Sequence, residues 1–242
     1  VLRELKPLLH IDCMTVTGET LGERLAAAPV WVDRSVVRSL AEPYQQHGGL
    51  AALFGTLAPN GAIIKRSAAD PRLFEREGRA VVFESLDDLA ARIDAPELDV
   101  TPDDFLVLKN AGPKSAYAMP EAGYLPIPTK LARAGIKDMV RISDARMSGT
   151  AFGTIVLHVS PDAATGGPLA LVHNGDRIRL SVAERRLDLL VDEAELARRA
   201  AAHRPLQPNP QRGYAKLYMQ SVLQAEHGCD FDFLRQSPKR SS

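Results

Sequence analysis

The sequence predicts a mixed α/β domain, and three observations lead there. From Gly61 onward the chain breaks into short β-branched segments, "GAIIKRS", "RAVVFES", "DFLVLKN", "DMVRIS" and "GTIVLHVS", each bounded by Gly, Pro, Asp or Ser, which is how strands separated by turns read. Helical stretches fall between these segments rather than after them, so strands and helices share one core. The 242 residues are enough to bury it.

Taken in order, residues 1 to about 55 read as a helical lead-in, from "TLGERLAAA" to "SVVRSLAEPYQQHGGLAALFG". The spacing of Leu50, Leu53, Phe54 and Leu57 predicts one face of a helix ending near "PNG". Further helices are expected at "LDDLAARID" after Ser85 and at "IPTKLARAG". The stretch "GPLALVHNGDRIRLSVAERRLDLLV" predicts more strand, with one turn at the Asn-Gly pair, whose residues tolerate positive φ, and another near "AERR". A charged helix, "DEAELARRAAAHR", precedes the proline-broken linker "PLQPNPQRG". Beyond it Tyr214, Leu217, Tyr218 and Val222 form a helical apolar stripe, which predicts that the tail packs until near Arg235. The expected division is therefore 1–55 and 56–242.

Composition excludes several classes of function. Thirty basic and thirty acidic residues give a net charge of zero, unlike the footprint of a nucleic-acid binder. Apolar runs fall short of a membrane span, and "VLRELKPLLHIDC" carries charges and a proline where a signal peptide needs an apolar core. No nucleic acid or membrane partner is expected, and a cytoplasmic location is the default. The opening at Val1 reads like the middle of a longer protein. Cys13 and Cys229 stand near opposite ends with no CxxC or Cys/His cluster beside either, so they supply neither a structural zinc site nor the thiolates of an iron-sulfur cluster. Each is expected to be a small buried apolar residue.

Three stretches stand out as candidates for chemistry; the third, "HNGD", is also the expected turn, and the first two are the richer. In "LKNAGPKSAYAMPEAGYLPIP", four prolines and two glycines surround one carboxylate, Glu121, and long rigid loops of this kind tend to be functional. Glu121 is either a working group or a solvated loop acid. In "RISDARMSGT", Ser148 and Thr150 flank Gly149, where the backbone can bend and let a ligand approach. Turn and capping work is the alternative for both hydroxyls. A Ser-His-Asp hydrolase is disfavoured, because Ser148 lies in no G-x-S-x-G elbow and no histidine is placed to activate it.

The segments "NAGPKSAYAMPEAGYLPIPTKL", "RISDARMSGTAFGTIVLHVSPDAATGGPLALVHNGDRIRL" and "RGYAKLYMQSVLQAEHGCDFDFL" together resemble the C-terminal part of the dihydroxy-acid/6-phosphogluconate dehydratase family. The "MPEAGYLPIP" loop and the "HGCDFDFL" ending are more similar to the sugar-acid (aldonate) dehydratases than to the enzymes of branched-chain amino-acid synthesis. The resemblance implies a swivelling β-barrel-like domain flanked by helices, with residues 1–55 as the helical end of, or linker from, a larger N-terminal domain. It implies a hydro-lyase that uses an iron-sulfur cluster, with ligands outside this chain, and Mg2+, and that is a homo-oligomer in full-length form. The implied substrate is a sugar acid. By the same resemblance Ser148 matches a catalytic base for the C2 proton and Glu121 matches a magnesium ligand; Thr150, two residues beyond Ser148, is expected to bind substrate or hold Ser148. Ala118 departs from the usual Gly-Met-Pro-Glu. The competing readings are a branched-chain dihydroxy-acid dehydratase and a non-catalytic binding module. The fragment alone is expected to be inactive.

Overall fold

The computed structural model describes residues 1–115, 125–146, 148, 152–206 and 209–235, and divides into two units, Val1–Gly48 and Gly49–Ser242. The first unit holds α1 (Leu21–Ala27), started by a capping box in which the Thr20 hydroxyl accepts from Glu23 N–H and the Glu23 carboxylate accepts from Thr20 N–H. Leu25 is its one buried hydrophobic residue, while Val16, Val30 and Trp31 are exposed. A segment so poor in burial does not build a core of its own.

The second unit is an eight-stranded sheet curled into a nearly closed barrel. Its strands are β1 (Leu50–Leu53), β2 (Gly61–Lys65), β3 (Glu75–Phe83), β4 (Phe105–Leu108), β5 (Arg141–Ser143), β6 (Ile155–Ser160), β7 (Arg177–Ser181) and β8 (Arg186–Leu189). They lie in the order β1-β2-β6-β5-β4-β3-β7-β8. The central strands β6, β5, β4 and β3 run parallel, and the pairs toward both edges are antiparallel. Long β3 serves both halves, pairing with β7 through Glu75–Arg79 and with β4 through Ala80–Phe83.

Two cores follow from strand alternation. One takes side chains from all eight strands, among them Leu53, Ile64, Val82, Val107, Ile142, Val156, Leu180 and Leu187, and is the barrel interior. The other lies on the outer face of the parallel strands, where Val81, Phe83, Leu106, Leu108, Ile155 and Leu157 meet Leu89 of α2 (Leu86–Arg92), Ile93 and Leu131 of α3 (Thr129–Arg133). Burial on both faces explains why "AVVF" and "FLVL" are apolar at every position. Helix α4 (Glu193–Ala202), capped by Asp192, and α5 (Gly213–Ser221) complete the described helices.

Several expectations are corrected. Leu50–Leu53 is a strand, not a helix: Leu53 and Leu57 point into the core while Leu50 and Phe54 are exposed, and the helix-like spacing arises from a strand followed by a tight turn, where Ala58 N–H donates to Gly55 O. "PLAL" is a 3-10 turn. The Asn-Gly pair leads that turn into β7, with the Asn174 side chain accepting from Val82 N–H at 2.6 Å, and the β7–β8 hairpin turns instead around Val182–Arg185. Of the tail stripe, Tyr218 and Val222 are buried while Tyr214 and Leu217 are exposed. Neither cysteine is fully buried, Cys13 being exposed and Cys229 half-buried.

The barrel closes at a seam between residues following β1 and strand β8. Phe54 bridges Arg186 in parallel sense, Phe54 N–H donates to Arg185 O at 2.9 Å, and Leu187 N–H donates to Phe54 O at 3.0 Å. Thr56 N–H donates to Asp188 Oδ1 at 2.9 Å, and the Thr56 hydroxyl accepts from Leu189 N–H at 2.8 Å. Gly55 permits this approach, since a Cβ there would fall 2.1 Å from Leu187 O and 2.5 Å from Asp188 Oδ1. Gly55→Ala should therefore lower unfolding stability by roughly 2 kcal/mol or more in urea titration. Gly48→Ala, where a Cβ meets nothing within 4 Å, should stay within about 0.5 kcal/mol of wild type.

Candidate functional site

Parallel neighbours end at the same rim of a sheet, and ligand sites in α/β folds gather beyond such ends. Here three adjacent strands deliver three connections. The segment after β4 leads to Glu121, the one after β5 leads to Ser148 and Thr150, and the one after β6 opens with Pro161 and Asp162. Ser148 is half-buried and four residues beyond Asp144. Glu121, Thr150 and Ala118 lie outside the described residues. What the structure does show is how the two predicted stretches are anchored at either end.

Asp144, immediately after β5, is completely buried. Its Oδ1 accepts from Ala111 N–H and its Oδ2 from Ala163 N–H, both at 2.9 Å, so one carboxylate joins all three strand ends. Asp162 lies beside it. Its Oδ2 accepts from Lys114 N–H at 2.7 Å, its Oδ1 accepts from Thr165 N–H at 3.0 Å and from the Thr165 hydroxyl at 2.8 Å, and its own N–H donates to Gln224 Oε1 at 2.8 Å. Gly112 is wedged between the two acids: a Cβ there would sit 2.6 Å from Asp162 Cβ and 3.1 Å from Asp144 Cγ. Burial is the largest influence on Asp144 and pushes its pKa up to about 7; the two backbone donors oppose this and the Asp162 charge adds to it.

At the opposite end of β5 stands Arg141, also buried. Its Nη1 donates to Leu125 O at 3.0 Å, its Nη2 donates to Phe152 O at 3.3 Å and pairs with Asp138 Oδ1 at 2.9 Å, and its Nε donates to Met139 O at 3.3 Å. Asp138 is held in turn by Thr154, whose N–H and hydroxyl donate to it at 2.8 and 2.7 Å. Leu125 and Phe152 are the first described residues after residues 116–124 and 149–151.

His158, half-buried on β6 with φ +55°, donates its N–H to Ala145 O at 3.0 Å, and its pKa is pushed down by burial and by Arg146. Lys114, held by its Nζ to Met219 O at 2.9 Å, is likewise lowered by burial. Asp144, Asp162, Gly112 and Arg141 are functional candidates that the sequence reading passed over. A signal existed in "RISDAR" and "SPDAAT", where an acid falls one or two residues beyond a strand and can accept from N–H groups that no ladder uses.

Among the described residues no three His, Cys, Asp or Glu side chains gather as a metal site, and no helix is long and apolar enough to cross a membrane. Residues 35–229 match the family model described as dihydroxy-acid/6-phosphogluconate dehydratase C-terminal. The chain belongs to that family. It is 50% identical over 238 residues to a 6-deoxy-6-sulfo-D-gluconate dehydratase of Pseudomonas putida, covering 97% of this chain and 41% of the relative. To an L-arabinonate dehydratase of Rhizobium leguminosarum bv. trifolii it is 49% identical over 228 residues, covering 94% of this chain and 39% of the relative. A dihydroxy-acid dehydratase of Ignicoccus hospitalis is 41% identical over 231 residues, covering 94% of this chain and 41% of that one. The family member described here thus spans about two fifths of these relatives.

The Asp144 site generates a pH test. In the unfolded chain the carboxyl ionises near its ordinary 3.8, whereas folded Asp144 keeps its proton to about 7. Between those values the folded state binds more protons, so the stability linked to Asp144 is full below pH 4 and lost as pH rises through 7. Relative to Asp144→Asn, which does not titrate, wild type should lose up to about 4 kcal/mol across that window. Paired urea titrations at pH 4 and pH 7.5 measure it. A constant difference between the two proteins would mean that the buried carboxylate stays ionised.

Proposed function

We propose that this chain is the C-terminal, base-carrying domain of a dehydratase that converts a sugar acid (aldonate) to its 2-keto-3-deoxy acid. The observation that carries the reading is the joint anchoring on Asp144 of the segment leading to Glu121 and the segment leading to Ser148. The sugar-acid dehydratases at 49–50% identity, against 41% for the dihydroxy-acid dehydratase, support a sugar acid over a branched-chain substrate. Exposed Val16, Val30 and Trp31 support reading the first unit as part of a larger N-terminal domain.

The described residues do not fit an iron-sulfur cluster, because Cys13 and Cys229 have no companion ligands gathered around them. Cluster ligands then lie outside this chain, and Glu121 contributes one hard anionic oxygen to a magnesium site otherwise built elsewhere. When bound, such metals supply Lewis acidity to a departing hydroxyl and to developing negative charge. The work assigned to this chain is the C2 proton. Ser148 takes it as general base and Thr150 holds the substrate or Ser148; the C2–H electron pair forms the C2=C3 bond as the C3–O bond breaks, the departing hydroxide takes up a proton and leaves as water, and the resulting enol tautomerises to the keto acid. A serine hydroxyl is a weak base in water, so the role requires adjacent positive charge to favour its alkoxide.

The test is to express the full-length protein anaerobically with magnesium and to offer aldonic acids alongside branched 2,3-dihydroxy acids. Formation of 2-keto-3-deoxy acid supports the reading; turnover of the branched acids alone, or of neither class, overturns it. Ser148→Ala should cut turnover on the order of a hundred- to ten-thousandfold, with cluster absorbance intact and exchange of the C2 hydrogen with deuterated solvent abolished. Wild-type exchange in that variant would assign the base elsewhere. Glu121→Gln should raise the magnesium concentration needed for half-maximal activity by tenfold or more, in the order expected for losing one charged ligand. An unchanged requirement would return Glu121 to the role of a solvated acid.

A further inference from the structure

Strand β3 changes partners half-way along, and a cavity opens where it does. Strand β7 pairs with it only as far as Arg79, while β4 pairs with it from Ala80 to Phe83. The edge that β7 leaves is first covered by backbone: Ala80 N–H donates to Asp176 O at 2.8 Å, and Gly175 N–H donates to Ala80 O at 2.9 Å. One step further, two side chains take over. Val82 N–H donates to Asn174 Oδ1 at 2.6 Å, and Arg92 Nη1 donates to Val82 O at 3.2 Å. Beside this edge lies a cavity of about 390 Å³, a size that suits a small molecule. It shares no lining residue with the stretches leading to Glu121 and Ser148, and β3 stands two strands away from β5.

The lining combines a buried apolar part, Val81 and Leu98, with donors and acceptors. Because Asn174 Oδ1 is taken up as an acceptor, its Nδ2 remains a donor. Arg92 is fixed by Val82 O, by Asp88 Oδ2 at 2.7 Å and by the Phe83 ring, whose centroid lies 5.0 Å away. Only its Nη1 is used in hydrogen bonds among the described residues, so Nε and Nη2 keep their protons available. On the acceptor side, exposed Glu97 makes no hydrogen bond or ion pair among the described residues. Asp99 is held by Arg79, whose Nη1 donates to its Oδ2 at 2.5 Å. A guanidinium fork with an amide beside it recognises a carboxylate. The charge of Asp99 is already matched by Arg79, so the acidic part of the lining suits hydroxyl donors rather than a second cation. We propose that this cavity binds a small hydroxylated carboxylic acid, its carboxylate on Arg92 and the Asn174 amide and its hydroxyls on Glu97 and Asp99. The assignment goes beyond the dehydratase reading and does not depend on it.

The test follows the full-length protein by hydrogen–deuterium exchange mass spectrometry with D-gluconate as the probe. Gluconate at millimolar concentration should slow amide exchange in peptides covering 92–99 and 172–178. Sorbitol, which has the hydroxyls without the carboxylate, and butyrate, which has the carboxylate without the hydroxyls, should each protect these peptides less. Glu97→Ala removes an exposed side chain that holds nothing else in place, so the fold is kept, and it should raise the gluconate concentration for half-maximal protection by roughly tenfold. Arg92→Lys keeps the charge, loses the fork and should raise it further. Ser148→Ala should leave the protection of both peptides as in wild type, which separates this binding from any binding at the candidate site. Absence of protection, equal protection by sorbitol or butyrate, stronger protection by glycine, or an unchanged half-maximal concentration in Glu97→Ala would overturn the proposal. Failure of the full-length protein to turn over sugar acids would overturn the dehydratase reading alone, since the protection is measured without turnover.

Discussion

A single buried carboxylate at the end of β5 is the constraint on which the surrounding architecture depends. Asp144 has no access to water, so its oxygens must find donors within the protein, and they find them on the backbones following β4 and β6. Satisfying it fixes three strand ends relative to one another. The position between β4 and its following loop must then be glycine, because Gly112 passes between Asp144 and Asp162 with no room for a Cβ.

Strand β5 shows a division of labour by polarity. At its C-terminal end an acceptor gathers N–H groups, and at its N-terminal end a multiple donor gathers C=O groups from Leu125, Met139 and Phe152. Irregular connections carry backbone groups of both kinds that no sheet ladder satisfies. Placing Asp144 and Arg141 at opposite ends of a short central strand gives both kinds a partner without adding secondary structure.

The fold was legible in the sequence where physical signals are local. Buried parallel strands appear as continuous apolar runs such as "FLVL", and α2 and α4 carry Ser85 and Asp192 as caps. It was illegible where distant partners decide. Leu50–Leu53 has helix-compatible spacing and becomes a strand because β2 pairs with it and β8 approaches its end. Ser148 and Glu121 stood out by type and by motif. Arg141 and Asp144 did not, since a charged residue flanking a strand ordinarily faces solvent, and their roles depend on backbone carbonyls and amides from other connections that no spacing in the sequence reveals.

The seam carries a consequence for how the molecule comes into being. Phe54 and Arg186 belong to opposite ends of the barrel's chain segment, yet their bridge shuts the interior. Fold closure therefore waits for contacts of very long sequence separation, the kind that slows folding most. During synthesis, strands β1 to β7 must emerge before the last partner exists, leaving apolar faces such as those of Ile64 and Val156 open to water and to other nascent chains. A cell making this protein has reason to shield it until β8 has left the ribosome.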